Sequence, residues 1–305
     1  MKYNIIGDIH GRTIWKELVR EDCINIFVGD YFSPYENIDF EDLKKCFLDI
    51  VQYKKDHPET ILLLGNHDED HWHIHEIYSR FDSYHFSDIK RLFEDNKEYF
   101  QIAYSIENKI LVTHAGVSIV WYEQCINNNK YARLDAYDDD DLAKLAKTPD
   151  EAYVLLQKIL SKQVFNYSSS SPSLLEWNNK LWRYNGSSFE EIRETPDDIA
   201  KAINDRWLKG QYRIFNFRDN SQRGDYYGDA STHSPLWIRP YSLRFNNIFR
   251  YGEFQQVVGH TQMEEITNSD GIYYIDVLGN NPSSLIINID DNNIQYEIND
   301  LKKAK

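Results

Sequence analysis

Five times along this chain an apolar run ends in a short turn that carries a metal-ligand side chain. The turns are Gly7-Asp8-Ile9-His10-Gly11, Gly29-Asp30, Gly65-Asn66-His67-Asp68, His114-Ala115-Gly116 and Gly259-His260-Thr261. The runs before them, Tyr3 to Ile6, Asn25 to Val28, Ile61 to Leu64, Ile110 to Thr113 and Gln256 to Val258, read as buried strands. Open α/β sheets gather ligand sites at the carboxyl ends of their strands, so groups far apart in sequence can meet there. The pattern points to an α/β metalloenzyme.

Residues 1 to about 120 alternate strand-like and helix-like runs, as expected of a sheet with crossover helices. Thr13 to Val19 and Phe40 to Tyr53 are the clearest helices; Leu43, Phe47, Ile50 and Val51 keep helical spacing in the second. Strand patterning returns near 254 and continues through Gly271 to Val277 and Ser284 to Ile289. Residues 1–120 and 236–305 are therefore assigned to one core. Region 121–235 shows polar clusters between short helical patterns and no strong strand signal. It is expected to be a largely helical inserted cap that selects substrate.

Composition narrows the partners. The formal charge of −15 opposes general binding to nucleic-acid backbones, and no apolar stretch is long enough to span a bilayer as a helix. Cys23, Cys46 and Cys125 lack paired spacing and read as reduced buried thiols. Lys2-Tyr3-Asn4 leads into the first strand without a leader-like pattern, so the expected location is the cytoplasm. The acidic run Asp138 to Asp141 reads as the first turn of a helix rather than a calcium loop.

Asp8 and His10 are two residues apart, which puts both side chains on one side of an extended strand end. Asp30 follows the next strand, and a carboxylate there can bridge two ions. Asn66, His114 and His260 complete a second position. Mixed oxygen and imidazole ligands suit manganese, iron or zinc, with manganese favoured, over magnesium or calcium. Two cations about 3.5–4 Å apart acidify a bridging water and neutralise phosphate oxygens during in-line attack. His67, beside Asn66, is the candidate for assisting the leaving oxygen.

In these five segments the chain resembles the calcineurin-like metallophosphoesterases, and among them the phosphoprotein phosphatases and their bacterial relatives. Their motifs read GDxHG, GDxVDRG, GNHE, HGG or HAG, and GHT or AHQ. Ser234 to Pro240 also resembles the Leu-Trp segment before the family's last metal histidine. The resemblance covers roughly 1–120 and 235–290. It implies a β-sandwich of mixed sheets flanked by helices. It also implies one metal on Asp8, His10 and Asp30, and a second on Asp30, Asn66, His114 and His260, with Asp30 and His67 catalytic. The implied substrate is a phosphomonoester, such as a Ser/Thr phosphoprotein. A nucleotide or dinucleoside polyphosphate is the second possibility, and a metal-bound scaffold without hydrolysis the third.

One segment departs from that pattern. Where the family has Gly-Asp-Tyr-Val-Asp-Arg-Gly, this chain has Gly29-Asp30-Tyr31-Phe32-Ser33-Pro34-Tyr35. Ser33 replaces the aspartate that orients the histidine, and Pro34 replaces the arginine that clamps phosphate. Arg239 and Arg12 are the expected substitutes, with Arg218 and Arg223 behind them, and Glu36 or Asp68 is the candidate to orient His67. His71, His73 and His75 read as supporting histidines rather than a further metal site, and Arg213 to Tyr227 as ordinary packing.

Overall fold

The computed structural model describes residues 1–73, 79–129, 133–135, 145–160, 173–216, 229–290 and 293–302. In the first part of the chain the strands are β1 (Lys2–Ile6), β2 (Ile24–Phe27), β3 (Ile61–Leu63), β4 (Phe100–Gln101), β5 (Ala103–Ile106) and β6 (Ile110–Thr113). Next come β7 (Arg133–Asp135), β8 (Leu174–Trp177), β9 (Lys180–Tyr184) and β10 (Phe189–Glu191). The last are β11 (Gln255–Val258), β12 (Thr267–Ser269), β13 (Ile272–Tyr274), β14 (Ser283–Asp290) and β15 (Asn293–Asp300).

Two mixed sheets form a sandwich. One runs β15-β14-β1-β2-β3-β4 and the other β12-β13-β11-β6-β5. The core strands are apolar on both faces because each face is covered. Ile5, Ile26, Val28 and Leu63 of the first sheet meet Ile106, Ile110, Val112 and Val257 of the second between the sheets. The alternate residues Ile6, Phe27, Leu62 and Leu111 point outward into a second core. That core includes Leu43, Cys46, Phe47, Ile50 and Val51 of the helix Phe40–Asp56, as their spacing predicts. Glu41 and Asp42 in its first turn and Lys54 and Lys55 in its last complement the helix dipole.

Parallel pairing aligns the strand ends. Ile6 lies opposite Phe27 and Phe27 opposite Leu62, so the turns after β1, β2 and β3 emerge side by side. In the facing sheet Val257 lies opposite Val112, and Val258 opposite Tyr274. The turns after β6, β11 and β13 therefore emerge together at the same edge.

Region 121–235 is less helical than its sequence suggests. Besides the helices Pro149–Leu160 and Pro196–Leu208 it carries a four-stranded sheet, ordered β10-β9-β8-β7. These strands have three to five residues, too short to show a period of two above the background of apolar residues. What closes β8 onto β9 is Asn178-Asn179, both at positive φ, the turn that a two-residue hairpin requires. The helix Pro196–Leu208 starts with a reciprocal Thr195 and Asp198 cap. It docks on the second sheet through Asn204, whose Oδ1 accepts from the Ile102 and Ala103 amides and whose Nδ2 donates to the Ala103 carbonyl. Arg218, Arg223, His75, Asp138 to Asp141 and most of the Arg213 to Tyr227 stretch lie outside the described residues.

Candidate metal centre

The strand-end turns converge as their pattern requires. Asp8, His10 and Asp30 offer ligand atoms all within 4.8 Å of one another, and all three are buried. The Asp30 carboxylate lies 3.7 Å from His10 Nε2 and 3.6 Å from His114 Nε2. Asn66 Oδ1 sits 3.0 Å from His114 Nε2 and 2.9 Å from His260 Nδ1, so it joins the remaining pair of histidines to the cluster. His114 Nδ1 lies 2.9 Å from the Val28 carbonyl, and His10 Nδ1 2.9 Å from that of Phe32, which sets both rings. All six expected ligands are thus brought together.

The backbone is bent to make this possible. His10, Asp30 and His260 have φ of 47°, 52° and 64°, a region that residues with a Cβ seldom occupy. Three such residues in one cluster mark local strain held in place by the surrounding fold. Gly65 and Gly259 serve a different need. A Cβ at Gly65 would lie 2.1 Å from Asp30 Oδ1, and one at Gly259 2.1 Å from Asp8 Oδ1. The glycines are the floor on which the two carboxylates rest.

Asp276 is a member of the cluster that sequence reasoning missed. It is buried, and its carboxyl group lies close enough to Asp8 to act on it. The signal was present, since an acid follows the apolar run Gly271 to Tyr274 just as acids follow β1 and β2, but Ile275 and Val277 made 271–277 look like one uninterrupted strand.

Charge is unbalanced here. Burial, then the neighbouring Asp276 and Asp30, push Asp8 well above the usual carboxylate range, and burial and Asp68 do the same to Asp30. Asp276 is raised to about 6, chiefly by burial. Burial pushes His10 and His114 down to about 3 and holds His67 and His260 well below the ordinary imidazole value. The contacts of His10 and His114 with Asp30 are therefore not ion pairs, because the rings are neutral. Neutral imidazoles and clustered acids are the donor forms that bind a divalent cation. His260 turns its Nδ1 toward the cluster, 2.9 Å from Asn66 Oδ1. The residues fit a divalent metal.

Asp68 and Glu36 do not orient His67. The Asp68 carboxylate accepts from the amides of Asp30, Tyr31 and Gly65 at 2.7–2.9 Å and so braces the turns themselves. Glu36 pairs with Arg12 Nε at 2.9 Å. What meets the His67 ring is Arg80, with Nη2 2.9 Å from Nε2, while the His67 amide donates to Asp30 Oδ1. Arg80 follows no apolar run and belongs to no motif, so nothing in the sequence marked it. Arg239 Nη1 donates to the His260 carbonyl and Thr261 Oγ1, each at 3.2 Å. His71 Nδ1 lies 2.6 Å from the His67 carbonyl, and its Nε2 accepts the Asp82 amide. His73 stacks on Tyr212. Both support the helix Asn66–His73, as expected.

No helix among the described residues is long and apolar enough to cross a membrane. No curated protein matches the sequence. Among solved structures, a cold-active protein tyrosine phosphatase is similar at 14% identity, covering 97% of this chain and 78% of that one, with a TM-score of 0.46. Another is a protein serine/threonine phosphatase from Saccharomyces cerevisiae with similarity to human phosphatase PP5, at 15% identity, covering 98% and 79%, with a TM-score of 0.44. The family model for calcineurin-like phosphoesterases matches residues 1–191, which hold five of the six converging ligand residues and include part of region 121–235. With those ligands on one edge of a mixed β-sandwich, the chain belongs to the calcineurin-like phosphoesterase family and is a metal-dependent phosphoesterase.

Proposed function

We propose that the protein hydrolyses a phosphomonoester at a dinuclear centre. Asp8, His10 and Asp30 would hold one cation, and Asp30, Asn66, His114 and His260 the other. The observation that carries this reading is Asn66 Oδ1 lying between His114 and His260 while Asp30 lies between His10 and His114. One carboxylate thus adjoins two separate donor groups. When bound, a pair of divalent cations supplies a water acidic enough to attack near neutral pH and charge to offset the phosphate oxygens. Manganese is the metal of choice for this mixture of carboxylate, amide and imidazole donors.

The chain's own residues supply the rest. Asp30 fixes its neighbour by accepting the His67 amide, so ligand and proposed catalytic histidine are held in one frame. His67 donates a ring hydrogen bond to the leaving oxygen. Its 7% exposure leaves it reachable from solvent, which Asp68 and His114 are not. Arg12 and Arg239 border the centre as cations facing the substrate. The inserted region steadies the helix that carries Asn66 and His67, through Trp207 against Trp72 and Tyr212 against His73. By this placement it takes part in substrate selection.

The test is hydrolysis of para-nitrophenyl phosphate and its bis ester by metal-stripped protein reconstituted with manganese. Manganese-dependent turnover that favours the monoester and is lost in Asp30→Asn is expected. Preference for the bis ester, or stoichiometric manganese binding without turnover of either, overturns the reading. Comparing a phosphopeptide with a dinucleoside polyphosphate then separates protein from nucleotide substrates.

A further inference from the structure

We propose that Arg80 is the residue that grips the phosphoryl group of the substrate, a role for which Arg12 and Arg239 are the less suited candidates. The inference rests on the phosphoesterase reading above and assigns a substrate contact within it. Three observations support it. Arg80 Nη2 lies against the ring of His67, the proposed catalytic histidine, at 2.9 Å. Its guanidinium carbon lies 3.5 Å from the centroid of the Tyr35 ring, which itself packs edge-on against His10 at 4.9 Å. Its Nη1 is buried and has no hydrogen-bond partner among the described residues.

The placement is also costly to the backbone. Arg80 has a φ of 63°, which a long side chain adopts only when its surroundings hold it there. Only partly exposed, the guanidinium lies close enough to act on Asp30, Asp276, His10 and His67.

The other two arginines are already committed. Arg12 donates its Nε to Glu36, and Arg239 spends Nη1 on a backbone carbonyl and the Thr261 hydroxyl. A guanidinium presents a planar fork of donors that matches two oxygens of a phosphoryl group, and stacking on a ring fixes the plane of that fork. Arg80 lies closer over the Tyr35 ring, at 3.5 Å against 5.7 Å for Arg12, and it alone of the three is in contact with the His67 ring among the described residues. Pro34, next to Tyr35, offers no side-chain donor, so a cation reaching this place must come from another segment.

Binding of inorganic phosphate to manganese-loaded protein, measured by calorimetry beside para-nitrophenyl phosphate kinetics, tests the assignment on wild type, Arg80→Ala, Arg80→Lys, Arg12→Ala and Arg239→Ala. Arg80→Ala should lower kcat/KM by about 100-fold, the usual loss of one strong donor to a developing charge. It should weaken phosphate binding about 10-fold while keeping manganese stoichiometry, with Arg80→Lys recovering part of both. Phosphate affinity within about twofold of wild type in Arg80→Ala overturns the proposal, as does a larger loss in Arg12→Ala or Arg239→Ala. Loss of manganese together with phosphate also overturns it, because Arg80 would then be a support of the metal cluster and not a substrate contact. Wild-type protein that binds phosphate but turns over no ester refutes the phosphoesterase mechanism alone, and the phosphate titration still decides Arg80. Wild-type protein that binds no phosphate removes both.

Discussion

Two buried groups of carboxylates in this molecule meet opposite fates. Glu123, in the turn Tyr122–Ile126, is fully buried and receives Nε and Nη2 of Arg183 at 2.8 and 2.5 Å, together with Nδ2 of Asn127 and of Asn129. The same Arg183 reaches Glu194. Asp8, Asp30 and Asp276 are as deeply buried, yet among the described residues their direct contacts are neutral imidazoles, backbone amides and one another, and Arg12, Arg80 and Arg239 act on them only through space. Burying a charge is tolerable only when it is paired. The Glu123 group is bonded directly to a cation of the chain, and the Asp8 group, which arginines reach only through space, has to acquire a bonded one. That difference separates a structural ion pair from a metal centre, although the residue types are the same.

The largest effect should come from exchanging one acid in each group for its amide. Asp30→Asn is expected to cut manganese-dependent turnover by at least about a thousandfold, since a bridging ligand acts together with the whole cluster. Glu123→Gln should leave the turnover per folded molecule at the wild-type level. Steady-state kinetics on both variants, normalised to the folded fraction, would break the comparison if the two lost activity alike.

Stability should show the reverse ranking. Removing Arg183 leaves the buried Glu123 and the partly exposed Glu194 without their counter-charge, a change that costs about 3–5 kcal/mol for a well-buried pair. Arg183 is itself partly exposed, so the lower end of that range is expected. Urea unfolding of metal-free protein reads it directly. Asp30→Asn should not destabilise the metal-free protein, because it replaces an unpaired buried acid by a neutral amide. A destabilisation equal to that of Arg183→Ala would show that Asp30 already has its cation inside the chain.

The third difference lies in pH. Asp68 and Asp276 are raised to about 6 from an ordinary 3.8, chiefly by burial, so the folded protein holds their protons more tightly than the unfolded chain does. Their contribution to stability is complete below about pH 4 and is lost as pH rises through about 6. Within that window each carboxyl contributes a slope of at most about 1.4 kcal/mol per pH unit. A bound cation stabilises the ionised forms and opposes the loss. The melting temperatures of manganese-loaded and metal-stripped protein should therefore draw apart between pH 5 and pH 7.5. Parallel curves would mean that the acids are neutralised without metal.

The metal group was legible in the sequence and the ion-pair group was not, for a physical reason. Asp8, Asp30, Asn66, His114 and His260 each follow a buried parallel strand, and parallel pairing alone brings such strand ends together. Asp276 obeys the same rule, but Ile275 and Val277 on either side hid the end of β13. Glu123 and Arg183 meet because β9 of the small four-stranded sheet carries Arg183 to the turn Tyr122–Ile126, and a sheet of strands this short is set by tertiary contacts more than by local pattern. Arg80 lies in a turn with Ser79, and side-chain reach from a turn has no sequence period. The sandwich and its helices were readable for the same reason as the ligands, since Ile5, Ile26 and Val28 face one way and Ile6 and Phe27 the other.

The smallest expected effect compares two uses of the same backbone conformation. Asn178 and Asn179 occupy positive φ of 55° and 53° to turn β8 into β9, and Asp30 occupies 52° to aim a carboxylate. A turn asks only for the backbone angle, so Asn179→Gly should alter stability by no more than a few tenths of a kcal/mol, while Asn179→Ala costs about 1 kcal/mol. Neither should change manganese binding. At Asp30 the angle is the means and the carboxylate the purpose: Asp30→Gly relieves the backbone but removes both the group and the acceptor of the His67 amide, so the folded protein should fail to bind manganese at the wild-type stoichiometry. Thermal melts with a manganese titration on the three variants compare the two directly. Wild-type manganese binding by Asp30→Gly would show that its strained angle serves a turn, as it does in the hairpin.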